Sequence, residues 1–291
     1  MPIASRNARG GFTLVELMIS LVLLGIVGGV LASMLVNMQR GSRAQSQRVT
    51  LQGNLRAGMA LLPAELRELS PADLVTTLAD QVVYRAMRST GVACAVSANQ
   101  VRLRNRLTFG YRPIEAGGRD RLYLFVDGDQ VTGTDDSWLE LLITGTAAGT
   151  CANGDAATLL TVTRTDGSAI PAAILPGSAT ETIFPDAPVR SFETMEMRLY
   201  ESGGRWWLGA RSVSGGAANP EPVLGPLTAD GLAFTYRDRA GNVTATIANM
   251  RSLDITLKGQ TDGSIATGLE ALSIGEDSLT TRIRLRNAPS F

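Results

Sequence analysis

The sequence predicts an α+β protein in which a long N-terminal transmembrane and stalk helix packs against a β-rich C-terminal globular domain. Three observations predict it. An uncharged apolar run lies near the start, a stripe of leucines at helical spacing follows it, and apolar and polar residues alternate through most of the remainder.

From Leu17 to Val36 the chain carries no charge. A helix of about 20 residues, rising about 1.5 Å per residue, spans about 30 Å, the thickness of a hydrocarbon core. Secretory signal peptides have shorter apolar cores, of about 7–15 residues. One carboxylate, Glu16, stands at the head of the run. A plain membrane anchor does not account for it, because an unpaired carboxylate entering lipid costs several kcal/mol. Beyond Val36, Leu51, Leu55, Met59, Leu62, Leu66 and Leu69 recur at intervals of three or four, so the helix continues with one apolar face. Pro63 predicts a kink or a restart there, since it lacks an N–H and crowds the preceding turn. Ser70-Pro71-Ala72-Asp73 reads as an N-cap with proline at the first helical position. It opens a second helix whose apolar residues are Val75, Leu78, Ala79, Val82, Val83 and Ala86, with Gly91 as its stop.

After Gly91 the period changes to two. Met195, Met197 and Leu199 alternate with Glu196, Arg198 and Tyr200, and Ser202-Gly203-Gly204 turns the chain into Trp206, Leu208 and Ala210, a hairpin signature. Leu232, Phe234 and Tyr236 predict another strand, as do Leu253, Ile255 and Leu257, and Ile283 with Leu285. Earlier strand candidates are Gln100–Asn105, Arg121–Val126, Trp138–Thr144 and Thr158–Arg164. Each is expected to bury one face and wet the other. The proline-bearing stretch from Asp166 to Ser191 has no period and predicts a surface excursion.

Composition bears on function mainly by exclusion. The 291 residues include no histidine, which removes Ser-His-Asp and Cys-His nucleophiles, His-ligated zinc and the commonest general base. Lys and Arg number 27 against 27 Asp and Glu, so no bulk attraction to nucleic acid or anionic lipid is expected. Cys94 and Cys151 are too far apart for a CxxC pair; they are disulfide candidates if the domain lies outside the cytoplasm, and two buried free thiols are the alternative. Asp127, Asp129, Asp135 and Asp136 raise a calcium site, but Val131 and Thr132 break the EF-hand pattern and turn residues are the better reading. Arg102, Arg104 and Arg106 share one strand face, as do Arg282, Arg284 and Arg286. Solvated faces paired with acids are favoured over a DNA grip, because no aromatic alternates with the arginines. Trp206 and Trp207 point to opposite strand faces, so one is expected in the core and the other at an edge or subunit contact. No catalytic, metal or cofactor constellation is expected.

Gly10-Gly11-Phe12-Thr13-Leu14-Val15-Glu16, preceded by a short leader with Arg6 and Arg9, resembles the processing signal of type IV pilins and type II secretion pseudopilins. The resemblance implies that a prepilin peptidase cleaves between Gly11 and Phe12 and methylates the new terminus of Phe12. It also implies that Glu16 attracts the terminal ammonium of a neighbouring subunit as the apolar helices bundle. Opposite charges in a low-dielectric bundle remove each other's burial penalty and fix axial register. Many major pilins carry a proline partway along this helix; here Gly25, Gly28 and Gly29 take that part, each lowering helix propensity by about 1 kcal/mol.

"GPLTADGLAFTYRDRAGN", "MRSLDITLKG" and "LTTRIRLRN" are similar to the C-terminal half of PilW-type minor pilins and J-type pseudopilins. The layout implied is a leader at 1–11, the transmembrane and amphipathic helix at 12–69, and a globular minor-pilin domain at 70–291. The expected function is a minor pilin that helps initiate or cap a type IV pilus, with a type II secretion pseudopilin, or a filament-borne adhesion or DNA-uptake factor, as alternatives. Implied partners are other minor and major pilins, the prepilin peptidase, the inner membrane and the pilus assembly platform. The resemblance places the precursor in the inner membrane as a single-pass protein with a cytoplasmic N-terminus, and the assembled subunit in a periplasmic or extracellular pilus. Arg6 and Arg9 before the span face Arg40, Arg43 and Arg48 after it, so orientation rests on the resemblance and not on charge.

Overall fold

A helix of 53 residues, α1 (Leu14–Leu66), carries the chain into a run of antiparallel strands. The computed structural model describes residues 13–128, 131–266 and 272–286. Among these the strands are β1 (Leu74–Thr77), β2 (Gln81–Ser97), β3 (Gln100–Arg104), β4 (Phe109–Gly110), β5 (Asp120–Val126), β6 (Ser137–Thr150), β7 (Ala156–Arg164), β8 (Ala187–Ser202), β9 (Arg205–Ser212), β10 (Glu221–Arg237), β11 (Ser252–Ala266) and β12 (Leu272–Arg284). The chain divides into two compact units, Met1–Gln52 with Thr261–Gly275, and Gly53–Gln260 with Glu276–Phe291.

The first unit holds the apolar part of α1 and the distal ends of β11 and β12. There the Thr261 hydroxyl donates to the Gly263 carbonyl and accepts from the N–H of Gly275, at 2.8 and 2.9 Å. Ile265 is buried, and Gly263 lies opposite Gln47 of the helix.

In the second unit the strand pairings return on themselves. β2 pairs β3, β3 pairs β7, β7 pairs β6, β6 pairs β5, β5 pairs β8 and β8 pairs β2, closing a six-stranded antiparallel barrel. Closure satisfies the main-chain groups that an open sheet would expose. Its interior is a continuous apolar core that includes Val101, Leu122, Leu124, Leu141, Ile143, Leu160 and Val162. β8 serves two structures at once. Along one edge it pairs β2 from Ala187 to Arg198; along the other its first half pairs β5 and its second half pairs β9. The ladder then continues through β10 and β11 to β12.

The end of α1 packs onto these later strands. Leu55, Leu62 and Leu66 are fully buried, each contributing about 1.5–3 kcal/mol by removal from water. Gly58 lets the helix come close: a Cβ there would lie 2.6 Å from methyl carbons of both Leu224 and Leu257. Asn54 donates to the Gly225 carbonyl at 3.0 Å. Past the helix, Arg286 binds Glu68, and its N–H donates to the Arg67 carbonyl.

Most of the predicted strands occur where alternation placed them, and the β8–β9 hairpin turns on Gly203 and Gly204, both at positive φ as a two-residue turn requires. Five expectations are corrected. α1 runs through Pro63 to Leu66 without restarting, since proline removes only one helical bond and the flanking Leu62 and Leu66 are held in the core. No second helix follows Ser70. The cap forms, with Ser70 N–H donating to Asp73 and proline in the first turn, but it closes only a 3-10 turn at Pro71–Asp73. The β-branched Val75, Thr76, Thr77, Val82 and Val83 then go into β1 and β2, where Val82, Tyr84 and Ala86 are buried at period two. Gly91 is therefore not a helix stop; it sits within β2, where a Cβ would meet the Thr108 hydroxyl at 2.7 Å. The stretch from Asp166 is not wholly a surface excursion, because Ile170 and Ile183 plug the barrel core and β8 begins at Ala187. Finally, one-face burial fails on β8, where Glu193 and Glu196 are both buried.

Those carboxylates are paired. Arg112 forks onto buried Asp120 through two bonds of 2.7 Å and reaches Glu193 at 3.1 Å. Arg88 and Arg119 also donate to Glu193, at 2.8 and 2.9 Å. Glu196 accepts from Arg211 and Gln81. The Glu115 N–H completes Asp120, so the segment between β4 and β5 is tied to strand β8 through charge. Burial pushes the Glu193 carboxyl upward, but hydrogen bonds from Ser212, Arg119, Arg88 and Arg112 outweigh it and hold it at about 2, below its ordinary 4.5.

Three outcomes test this packing. Because Glu193 is depressed in the folded state, its contribution is complete above pH 4.5 and fades as pH falls toward 2; the urea midpoint should drop across that window. Arg112→Ala, which leaves Asp120 buried without its guanidinium, should cost about 3–5 kcal/mol in the same measurement. At position 58, alanine should be near neutral, its helix propensity offsetting a slight shift of two leucine ends, whereas Gly58→Val should cost about 1–3 kcal/mol.

Candidate functional site

The site is the start of α1. Thr13 precedes the first helical residue, and its hydroxyl accepts from the Glu16 N–H at 3.3 Å while its carbonyl accepts from Leu17 N–H at 3.2 Å. Thr13-Leu14-Val15-Glu16 thus has the spacing of a capping box, threonine before the helix and glutamate three positions on. The carboxylate lies in the first turn, where the helix dipole favours negative charge. Glu16 is exposed, and no hydrogen bond or ion pair joins its carboxylate to another described residue.

From Leu14 to Val36 the large apolar side chains are exposed all round the helix, from Leu14 at 78% to Val36 at 46%. None of the most apolar stretch of this helix is buried. A helix apolar on every side suits lipid or a bundle of like helices. Its few polar side chains are satisfied locally: the Ser20 hydroxyl donates to the Glu16 carbonyl and that of Ser33 to the Val30 carbonyl, both at 2.8 Å. A Cβ at Gly25, Gly28 or Gly29 would meet nothing within 4 Å, so these glycines are not required by packing within the chain.

Other predicted residues fall as follows. Gly11 and Phe12 lie outside the described residues, as does Asp129. Cys94 and Cys151 are joined in a disulfide with their Cα atoms 5.8 Å apart, stapling the end of β2 to the end of β6. The two arginine sets do not lie side by side, because β3 and β12 are not neighbours in the sheet. Arg106 lies in a 3-10 turn beyond β3. Four of the six face acids: Arg104 pairs with Asp155 and Asp186, Arg106 with Asp155, Arg282 with Asp254 and Arg286 with Glu68, while Arg102 donates to the Thr150 carbonyl. Neither Trp206 nor Trp207 fills the core; both are half-buried. Trp207 lines a cleft of about 760 Å³ with Tyr200, Pro220 and Pro222. The buried carboxylates Asp120, Glu193 and Glu196 had no sequence signal beyond arginines near them in the chain, Arg112, Arg119 and Arg121 for Asp120 and Arg190 and Arg198 for the two glutamates.

The comparisons with known proteins agree with the N-terminal geometry. Residues 6–32 match the family model described as Prokaryotic N-terminal methylation motif. Neither the curated proteins nor the solved structures contain a match. The motif, followed by a long apolar helix and a β-rich domain, supports a type IV pilin-like or pseudopilin protein with a structural role, anchored in the inner membrane and interacting with other pilins and a prepilin peptidase.

Proposed function

We propose that this chain is a minor pilin that helps initiate or cap a type IV pilus, inserted as a precursor, processed between Gly11 and Phe12 and incorporated below the tip. The observation that carries the reading is a carboxylate with no partner among the described residues, at the head of a helix whose apolar side chains are exposed on every side. Once processed, the terminal ammonium on Phe12 of a neighbouring copy or another pilin supplies the charge that Glu16 lacks. The attraction is strong in an apolar bundle and weak in water, so it favours assembly over the free state. A subunit at the extreme tip has no neighbour above it and does without such an acid, which is why a position beneath the tip fits better. The disulfide suits an oxidising compartment outside the cytoplasm. The barrel between the helix and the later strands makes the domain bulky for every lattice position, which favours a minor over a major subunit.

A type II secretion pseudopilin is the second reading, favoured by the likeness of the last strands to J-type pseudopilins. A DNA-uptake role draws less support, since Arg104, Arg106, Arg282 and Arg286 already face carboxylates.

Glu16→Ala should leave cleavage intact, as read by mass spectrometry of the mature terminus, yet lower incorporation into sheared filaments about ten-fold or more, the effect of losing at least 1.4 kcal/mol of pairing. Normal recruitment of the variant would overturn the assembly role. Deletion of the chain should abolish piliation and spare protein secretion; the opposite pattern would establish the pseudopilin reading.

A further inference from the structure

β6 is paired along only part of one edge. On that side β5 accompanies it from Ser137 to Leu142, and the N–H groups of Gly117 and Gly118 then take the Ile143 carbonyl. On the other side β7 accompanies it as far as Thr150. From Thr144 to Thr150 the β5-side edge carries no strand among the described residues. Side chains on both faces of this stretch are exposed, including Thr144, Thr146, Ala147, Ala148 and Thr150. A cleft of about 750 Å³ lies beside it, lined by Thr146, Ala147 and Ala148 and also by Tyr111, which is 90% exposed.

An uncovered edge presents main-chain donors and acceptors whose natural complement is another strand. Exposed edges are usually protected by lysine, proline or an inward charge, and Thr144-Gly145-Thr146-Ala147-Ala148-Gly149-Thr150 has none of these. The sequence also reads almost identically in either direction. Laid antiparallel on itself about Ala147, it puts Thr144 opposite Thr150, Gly145 opposite Gly149, Thr146 opposite Ala148, and Ala147 opposite its own counterpart. That is the pattern a two-fold axis demands, in which each residue meets its reciprocal. Threonines paired across strands attract, small side chains avoid collision, and no charge meets its like.

We propose that two copies of this chain join edge to edge through β6, antiparallel, with a two-fold axis at Ala147. The pairing extends each barrel sheet into its neighbour and brings Tyr111 of each copy beside the added strand. A contact of this length buries less than a stable dimer needs, so it is weak between free chains and strengthened where several copies are held close. It does not depend on the filament reading.

The test uses the full-length chain in detergent with its native disulfide intact. Across an antiparallel pair the Cα atoms are about 4.5–5.5 Å apart, within disulfide reach. Under mild oxidant Ala147→Cys should therefore form a covalent dimer about ten-fold faster than Val243→Cys, an exposed cysteine elsewhere. Ala147→Lys sets like charges opposite each other and should weaken the self-association that the wild type shows in sedimentation at raised protein concentration, while keeping the wild-type circular dichroism. Cross-linking of Ala147→Cys no faster than that of Val243→Cys, or an undiminished dimer in Ala147→Lys, would overturn the pairing. Either result leaves the Glu16 experiment unaffected.

Discussion

The constraint on which the rest depends is that a helix apolar on every side cannot remain in water. From Leu14 to Val36 no part of the described chain covers those side chains, and the cost of hydrating them amounts to tens of kcal/mol at about 25 cal/mol per Å². Lipid or other such helices must take water's place. In either setting the main chain satisfies itself, and Ser20 and Ser33 turn their hydroxyls back onto it. The Glu16 carboxylate, by contrast, has no hydrogen-bond or ion-pair partner among the described residues. A carboxylate at the edge of such a segment is costly to bury unless a cation accompanies it.

In the globular part a second balance operates, between apolar closure and buried charge. The barrel core is ordinary: leucine, isoleucine and valine at alternating positions, inside a ring of paired strands. What sets its rim is electrostatic. Asp120 and Glu193 lose their water, and Arg88, Arg112 and Arg119 replace it with hydrogen bonds in fixed geometry. Such clusters add little net stability compared with apolar packing, but they penalise any arrangement that separates the partners. They fix where the segment after β4 lies, and so which side of the cleft beside β6 is walled.

β8 links these regions. Its first half closes the barrel and its second half begins the ladder that ends at β12, so one strand carries two different partners along one edge. The aromatic contacts follow it: Phe192 stacks on Tyr123 at 4.4 Å, and Tyr123 in turn meets Trp138 at 6.4 Å. A shared strand transmits displacement between barrel and ladder because neither can shift without breaking main-chain bonds.

The sequence by itself determined the apolar span, the position of Glu16, the amphipathic face that follows from Leu51, though not the helix end at Leu66 in place of Leu69, and the strands whose alternation is strict, such as β5, β7 and the β8–β9 hairpin. These depend on local period, composition and turn chemistry, which neighbours along the chain suffice to express. Only the tertiary structure decided that Ser70 caps a single turn and that Val82, Tyr84 and Ala86 line a strand, because β-branched residues fit either pattern until a partner strand is present. It alone brought Cys94 to Cys151, gathered three arginines around Glu193, and separated the arginine sets of β3 and β12. Those outcomes depend on which strands become neighbours, and strand order is set by contacts among residues far apart in the chain, which no local pattern encodes.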